Sequence, residues 1–268
     1  MRRLPIFLLW LVVTLLISTT RVYAWNTLQV GVVADQSSEN SNGVRVAIRT
    51  NIYHAQENEM DYFWVSTSLS NGAFVQFGYS LEPGSICLKG EMINADFICL
   101  ASWDTIGFTD ARWQWQYWPN KYGIDYYWGI GPANSAGSNG TWHTYSIIAN
   151  GTSWSFQLNG KEVDHVLFRP THSSTPVTFI AEKGISSQQY RARLGPVEFR
   201  NLAYLKEGGW HFTKALTAFV GCIPHCNVPN PFGVAVYGPG GYMIAGSGIK
   251  QPLNGALLWD GQPIDYLG

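Results

Sequence analysis

Acidic residues within strand-like segments are few in this chain, so each one is a candidate for chemistry. Glu182 ends the apolar segment 179–182, and Glu198 alternates with apolar neighbours just before Arg200. A carboxylate on a rigid strand can accept a proton from water as a general base. The structural alternatives are that Glu198 faces solvent near Arg200, which we adopt, and that Glu182 is solvated or paired with Lys183.

The usual signatures of nucleophilic, metal and phosphate chemistry are missing from the sequence. It contains no G-x-S-x-G elbow, no H-E-x-x-H pair, no phosphate loop and no dinucleotide fingerprint. The six histidines are scattered, and His143 between Trp142 and Thr144 is interpreted as a strand residue. No cofactor and no metal are therefore predicted.

Four cysteines form two local pairs along the chain, Cys87 with Cys99 and Cys222 with Cys226. In an exported chain such spacing favours two small disulfide loops, although three connectivities are formally allowed. A metal site using Cys222, His225 and Cys226 is the less favoured alternative, because no fourth ligand lies nearby.

The N-terminus has the pattern of a secretory signal peptide, residues 1–24. Arg2 and Arg3 precede an apolar run over 4–17, which is too short to span a bilayer comfortably, and Ala24 ends a small-residue cleavage motif. We therefore expect a secreted or cell-surface protein without a stable membrane span after cleavage, with glycosylation sequons at Asn139 and Asn150. An uncleaved anchor is the alternative.

The composition excludes several classes of protein. Only 13% of the residues are charged and 15% are aromatic, with 17 basic against 18 acidic side chains. Such a chain is neither disordered nor a coiled coil, and it lacks the basic field of a nucleic-acid binder.

Short segments rich in Val, Ile, Thr and aromatic residues alternate with Gly, Asn, Ser and Pro clusters. This spacing predicts an all-β antiparallel sandwich over 25–207. From 208 to 268 the chain is rich in Gly and Pro and is interpreted as a β-containing C-terminal extension, either a subdomain or a wrapping segment. A helical period is weakly suggested only at 214–220. The predicted strands are 44–52, 62–69, 74–80, 113–118, 142–149, 153–158, 177–182 and 197–202.

Alternation along the strands assigns their faces. In segment 62–69, Phe63, Val65 and Leu69 form an apolar face, and Tyr62 and Trp64 lie opposite with two serines. Rings and amides also alternate over 113–118. A sheet with one packed face and one mixed aromatic and polar face commonly uses the mixed face for binding. The alternative is that a loop covers the mixed face.

Five motifs, in order and spacing, resemble the glutamic peptidases (eqolisins) over about residues 43–204. That family has a concanavalin-like β-sandwich, so the resemblance implies a jelly roll and an endopeptidase in which Gln76 and Glu182 form the catalytic dyad. It also implies acidic working conditions and a substrate groove supported by Trp64. The motifs are Trp64-Val65, 74–78, 113–119, Ala181-Glu182 and 194–201.

The chain departs from the family pattern where supporting carboxylates are expected. Ser68, Ser80 and Gln116 stand at those positions. In the implied mechanism Glu182 activates water, and the Gln76 amide donates to the oxyanion without adding a charge. An extended polypeptide would bind along Trp113, Trp115, Tyr117 and Trp118.

Two further functions stay open. Segments 140–146 and 154–161 also resemble the strand pair of laminin-G and concanavalin-like lectin domains, which implies a non-catalytic carbohydrate-binding module for an extracellular glycan. There Trp113, Trp115, Tyr117 and Trp118 would stack on sugar rings. The low charge and the Gly-rich extension are also compatible with a cell-surface structural subunit that pairs through its edge strands.

Overall fold

The computed structural model describes residues 26–53, 59–94, 96–120, 124–167, 173, 176–185, 193–223, 230–237, 241–252, 255 and 257–258. The predicted signal peptide lies outside these residues. Within them, no helix is long and apolar enough to cross a membrane. The described residues form one 3-10 turn, Gln36–Ser38, and twenty strands. They are β1 (Asn26–Ala34), β2 (Gly43–Arg49), β3 (Glu59–Ser68), β4 (Phe74–Leu81), β5 (Gly84–Cys87), β6 (Lys89–Ile93), β7 (Asp96–Cys99), β8 (Trp103–Ile106), β9 (Ala111–Trp118), β10 (Tyr126–Ile130), β11 (Trp142–Asn150), β12 (Ser153–Leu158), β13 (Lys161–Leu167), β14 (Thr178–Ile185), β15 (Val197–Lys206), β16 (Gly209–Phe212), β17 (Leu216–Ile223), β18 (Gly233–Tyr237), β19 (Tyr242–Gly246) and β20 (Leu257–Leu258).

Two large antiparallel sheets form a β-sandwich, as the strand pattern predicts, and the sandwich is concanavalin-like, as the family resemblance implies. The ten-stranded sheet has the order β20-β17-β1-β14-β3-β4-β9-β10-β6-β7. The eight-stranded sheet has the order β13-β12-β11-β2-β15-β19-β18, with β16 added beside β15, and β5 and β8 make a small third sheet. Each of the eight strands predicted from the sequence overlaps an observed strand.

The apolar core lies between the two large sheets. Phe63 and Val65 of β3 and Phe77 of β4 are fully buried there, and the Phe77 ring contacts those of Tyr145 at 5.3 Å and Phe156 at 5.5 Å in the second sheet. The predicted apolar face of β3 is therefore the inner face. The opposite face of the ten-stranded sheet, called the outer face below, carries Tyr62, Trp64 and the other even-numbered residues of β3.

A buried ion pair interrupts the apolar inner face. Lys183 Nζ lies 2.8 Å from Asp61 Oδ1, and neither side chain is more than 1% exposed. The Tyr53 hydroxyl donates to Asp61 Oδ2 at 2.6 Å. The alternative that Lys183 neutralises Glu182 is therefore wrong, because adjacent strand residues point to opposite faces.

The C-terminal strands complete both sheets. β17 lies beside β1 in the ten-stranded sheet, whereas β18 and β19 extend the eight-stranded sheet from β15. Three strands of the segment after residue 208 therefore pair within the two sheets of the sandwich. The weak helical signal at 214–220 is wrong, since Leu216–Ile223 is a strand in which Leu216 and Ala218 are buried.

The predicted disulfide between Cys87 and Cys99 is present, with 5.8 Å between the two Cα atoms. Cys222 is also disulfide-bonded, and its predicted partner Cys226 lies outside the described residues, as does His225. An oxidised Cys222 does not serve as a metal ligand. Across the described part of the chain, no group of three or more His, Cys, Asp or Glu could hold a metal ion.

Candidate active site

A cavity of about 350 Å³ lies on the outer face of the ten-stranded sheet. Its wall combines two carboxyl groups, two primary amides and five aromatic rings. This combination of apolar surface with few converging polar groups is typical of a binding or catalytic site. The lining residues are Thr27, Met60, Tyr62, Glu82, Ile86, Phe97, Gln114, Gln116, Trp118, Tyr126, Trp128, Glu182 and Gly184.

Glu182 lies in β14, between Gln29 of β1 and Tyr62 of β3. Its Oε2 accepts a hydrogen bond of 3.1 Å from the Trp64 indole, which is fully buried. Burial raises the pKa of Glu182 to about 7, and hydrogen bonds from Gln29 and Trp64 offset this only in part. The carboxyl is therefore poised to exchange a proton near neutral pH.

Gln76 is on the outer face of β4 but is not beside Glu182. The pairing register places Gln76 opposite Ser66, which in turn lies opposite Thr178. Thr178 precedes Glu182 by four residues, so Gln76 is displaced by about 13 Å along the strands and two strands, about 10 Å, across them. The structure does not bring the predicted dyad together.

The Gln76 amide instead hydrogen-bonds within the sheet. Its Nε2 donates to Gln116 Oε1 at 2.9 Å, and its side chain is 3% exposed. Gln116 itself lines the cavity. Gln76 thus orients Gln116, the residue directly opposite it on β9, which lines the cavity.

Glu82 is a cavity residue that sequence reasoning missed. It follows β4 directly, is 9% exposed and accepts a hydrogen bond of 3.3 Å from the Tyr62 hydroxyl. Burial raises its pKa to about 8, against the opposing effects of Tyr62 and Gln114. Residues 76, 78 and 80 of β4 share one face, so continuing their alternation by one step places Glu82 on that face too. The Pro83-Gly84 pair that follows is instead typical of an exposed turn.

An aromatic strip runs along one side of the cavity and is defined here as Trp118, Tyr126, Trp128, Phe97 and Trp103. Neighbouring ring centroids are 5.7, 5.3, 5.4 and 5.5 Å apart in that order. Phe97 and Trp103 are 47% and 57% exposed. The disulfide of Cys87 and Cys99 packs in the same small cluster as Trp128, so it braces this wall.

Trp118 is the one member of the predicted tryptophan tract that faces the cavity. Trp113, Trp115 and Tyr117 point to the inner face, because alternation separates them from Gln114 and Gln116. Trp115 is 2% exposed and stacks on Phe156 of the second sheet, with 5.0 Å between ring centroids. These three residues build the core rather than the substrate surface.

The two other candidate residues from the sequence, Glu198 and His143, do not line the cavity. Glu198 forms a 2.7 Å ion pair with Arg49 rather than with Arg200, whose guanidinium lies over the Trp142 ring. His143 is in β11, as interpreted, with Nδ1 2.9 Å from Asn159 Nδ2.

Three residues stand where the family resemblance leads us to expect carboxylates. Ser68 and Ser80 are buried, and Gln116 lines the cavity. The sequon residues Asn139 and Asn150 are both exposed. Asn139 Oδ1 accepts a hydrogen bond from the Ile52 amide at 2.9 Å.

No family model and no curated protein matches the chain. Solved structures resemble it. Scytalido-glutamic peptidase with a peptide-based transition-state analogue is 13% identical with a TM-score of 0.45, covering 84% of this chain and 99% of that one. SCP-B, a member of the eqolisin family in complex with the tripeptide Ala-Ile-His, is 14% identical with a TM-score of 0.45 and the same coverage.

A β-glucanase from Bacillus licheniformis is 11% identical with a TM-score of 0.33, covering 63% of this chain and 67% of that one. Likenesses at this level assign neither an activity nor a ligand to this chain. The functional argument therefore depends on the residues of the cavity.

Proposed function

We propose that the protein is an exported hydrolase that cleaves peptide bonds at the cavity, with Glu182 as the general base. The observation that carries the proposal is the half-buried Glu182 carboxyl, held by the Trp64 indole at 3.1 Å on the wall of an aromatic cavity. A carboxylate fixed in this way can deprotonate a water molecule that attacks a carbonyl carbon. The disulfide of Cys87 and Cys99 supports export, since such bonds persist in oxidising compartments.

Gln29 is the neutral donor that fits beside this base. It lies directly opposite Glu182 on the neighbouring strand β1, and its amide hydrogen-bonds to the carboxyl. An amide can donate to the oxyanion of a tetrahedral intermediate without competing for the charge of the base. Gln29 thus takes the role that the family resemblance gives to Gln76.

Peptide hydrolysis is expected to increase as the pH is raised through about 7, because Glu182 must be ionised to accept a proton and burial raises its pKa to about 7. This differs from the acidic conditions implied by the resemblance. The mature protein should be incubated with unfolded casein and a peptide library from about pH 4 to 9, with new amino termini identified by mass spectrometry. Absence of cleavage at every pH would contradict the proposal, and maximal cleavage below pH 5 would contradict the base role of Glu182.

A carbohydrate-binding function is a second candidate, favoured by the aromatic strip. Stacked and partly exposed rings beside the Gln114 and Gln116 amides could bind the faces and hydroxyls of sugar residues. On a glycan array, Trp118→Ala is expected to weaken binding by about fivefold, since stacking on one ring contributes roughly 1 kcal/mol. Trp142→Ala, in the other sheet, is the matched control. A wild-type protein that binds no polysaccharide would remove this candidate.

A further inference from the structure

Glu82 and Glu182 approach the cavity from two strands that flank β3. Glu182 is in β14, Glu82 follows β4, and Tyr62 of β3 lies between them with its hydroxyl 3.3 Å from Glu82 Oε1. Continuing the register of β4 by one residue places the two Cα atoms about 12 Å apart, from strand spacing and rise. Side chains that extend into the cavity from both sides leave room for a substrate bond and a water molecule.

The second carboxyl oxygen of Glu82 accepts no hydrogen bond of normal geometry, although the Gln114 side chain is near enough to lower the pKa of the carboxyl. Oε2 is buried without a hydrogen bond from any described residue, and the same holds for Ser80 Oγ and Gln114 Oε1 nearby. Buried polar atoms normally have partners, so orphaned atoms on residues of the cavity wall indicate a group that binds there. Two of the three, on Glu82 and Gln114, belong to residues that line the cavity.

The surroundings of Glu82 keep its carboxyl neutral at pH 7. The titratable groups that face it are Tyr62 of β3, Tyr126 of β10 and Glu182 of β14, and the described lining residues include no Lys or Arg. Arg112 of β9 is engaged by Asp104 and Asp110 instead. Burial without a cation raises the pKa of Glu82 to about 8. Because the pKa of Glu82 is raised further than that of Glu182, Glu182 is the carboxyl that ionises first and Glu82 the one that keeps its proton to higher pH, the division of roles that acid–base catalysis needs.

We propose that Glu82 is the general acid of this site and protonates the leaving group from Oε2. The inference rests on the proposed peptide hydrolysis. Glu182 takes a proton from water as the water oxygen bonds to the carbonyl carbon. The C–N bond then breaks as the Glu82 proton passes to the amide nitrogen, which releases an amine and a carboxylic acid. Glu182 loses its proton to solvent, and Glu82 regains one.

The pH profile of Glu82→Gln tests this role, with Glu91→Gln of β6 as the matched control. Glu82→Gln is expected to lower kcat for peptides by about 10²-fold or more, the usual contribution of a general acid. In wild type, kcat is expected to fall above about pH 8 as Glu82 loses its proton. Glu82→Gln should abolish this fall, whereas Glu82→Asp should keep it. A nitrophenyl ester, whose leaving group needs no proton, should restore the rate of Glu82→Gln but not of Glu182→Gln. An unchanged kcat and pH profile in Glu82→Gln would overturn the inference and leave the proposed function intact.

A titration separates this inference from the proposed function. In protein labelled with ¹³C at the Glu carboxyls, the resonance that disappears in Glu82→Gln is expected to titrate with a midpoint near pH 8. This result would support a proton on Glu82 even if no peptide were cleaved, in which case the proposed function alone would fail. A midpoint near pH 4.5 would overturn the acid role regardless of activity.

Discussion

Glu182→Gln is expected to reduce kcat for peptide hydrolysis by about 10²- to 10⁴-fold, the usual range for loss of a general base. The amide has the shape of the carboxyl and can still accept from the Trp64 indole, so the cavity should remain folded. It cannot take a proton from water at neutral pH. The measurement is kcat at pH 8, with thermal unfolding to verify the fold. Glu198→Gln, which changes an ion pair with Arg49 in the other sheet, is the matched control and should retain its activity.

Two glutamine variants identify the partner of Glu182. Gln29→Ala removes the amide beside the carboxyl and is expected to lower kcat by about 10²-fold or more, the cost of losing one oxyanion donor. Gln76→Ala removes an amide that is bonded to Gln116 and lies four residues away along the sheet, so its effect should be much smaller. A larger loss of kcat in Gln76→Ala than in Gln29→Ala would instead assign the role of oxyanion donor to Gln76. Equal activity of wild type and Glu182→Gln would remove the proposed mechanism.

Lys183→Met is expected to lower the free energy of unfolding by about 3–5 kcal/mol, the usual cost of breaking a buried ion pair. Asp61 is fully buried and would keep only the Tyr53 hydroxyl among the partners named above. Denaturant unfolding monitored by tryptophan fluorescence measures the change. Arg49→Met, at a pair with 45% and 27% exposed side chains, should cost less than about 1 kcal/mol.

A double variant provides the second control for this ion pair. Lys183→Met combined with Asp61→Leu removes both charges and should recover part of the lost stability, because apolar replacements of buried pairs are often tolerated. A Lys183→Met protein no less stable than Arg49→Met would show that the buried pair does not contribute as described.

Local alternation was sufficient to predict the strands and the two faces of β3. Phe63 and Val65 are in the core, and Trp64 is on the face of the cavity, because a period of two is a property of the backbone. The same rule was ambiguous over Trp113–Trp118, where aromatic residues occupy both faces. Only the second sheet decides that tract, since Trp115 stacks on Phe156.

The relative position of Gln76 and Glu182 could not be obtained from alternation. A displacement of four residues along a strand leaves a side chain on the same face, so both residues satisfy the pattern while remaining far apart. Their separation depends on the hairpin register between β3 and β4, which pairs Trp64 with Gly78. The burial of Glu82 could not be predicted for a different reason. Pro83-Gly84 signals a turn, and a local turn signal does not indicate whether neighbouring strands bury the residue before it.

The position of β1 has a consequence for the order in which the protein can fold. β1 begins the described chain, yet its two neighbours are β14 and β17, more than 140 residues later, as the pairings Asn26 with Ile185 and Thr27 with Ile223 show. Contacts between such distant segments form slowly, because long loops must close first. Gln29 cannot meet Glu182 until most of the chain has been synthesised. The candidate catalytic centre is therefore a late product of folding, and a chain that ends before Glu182 lacks it.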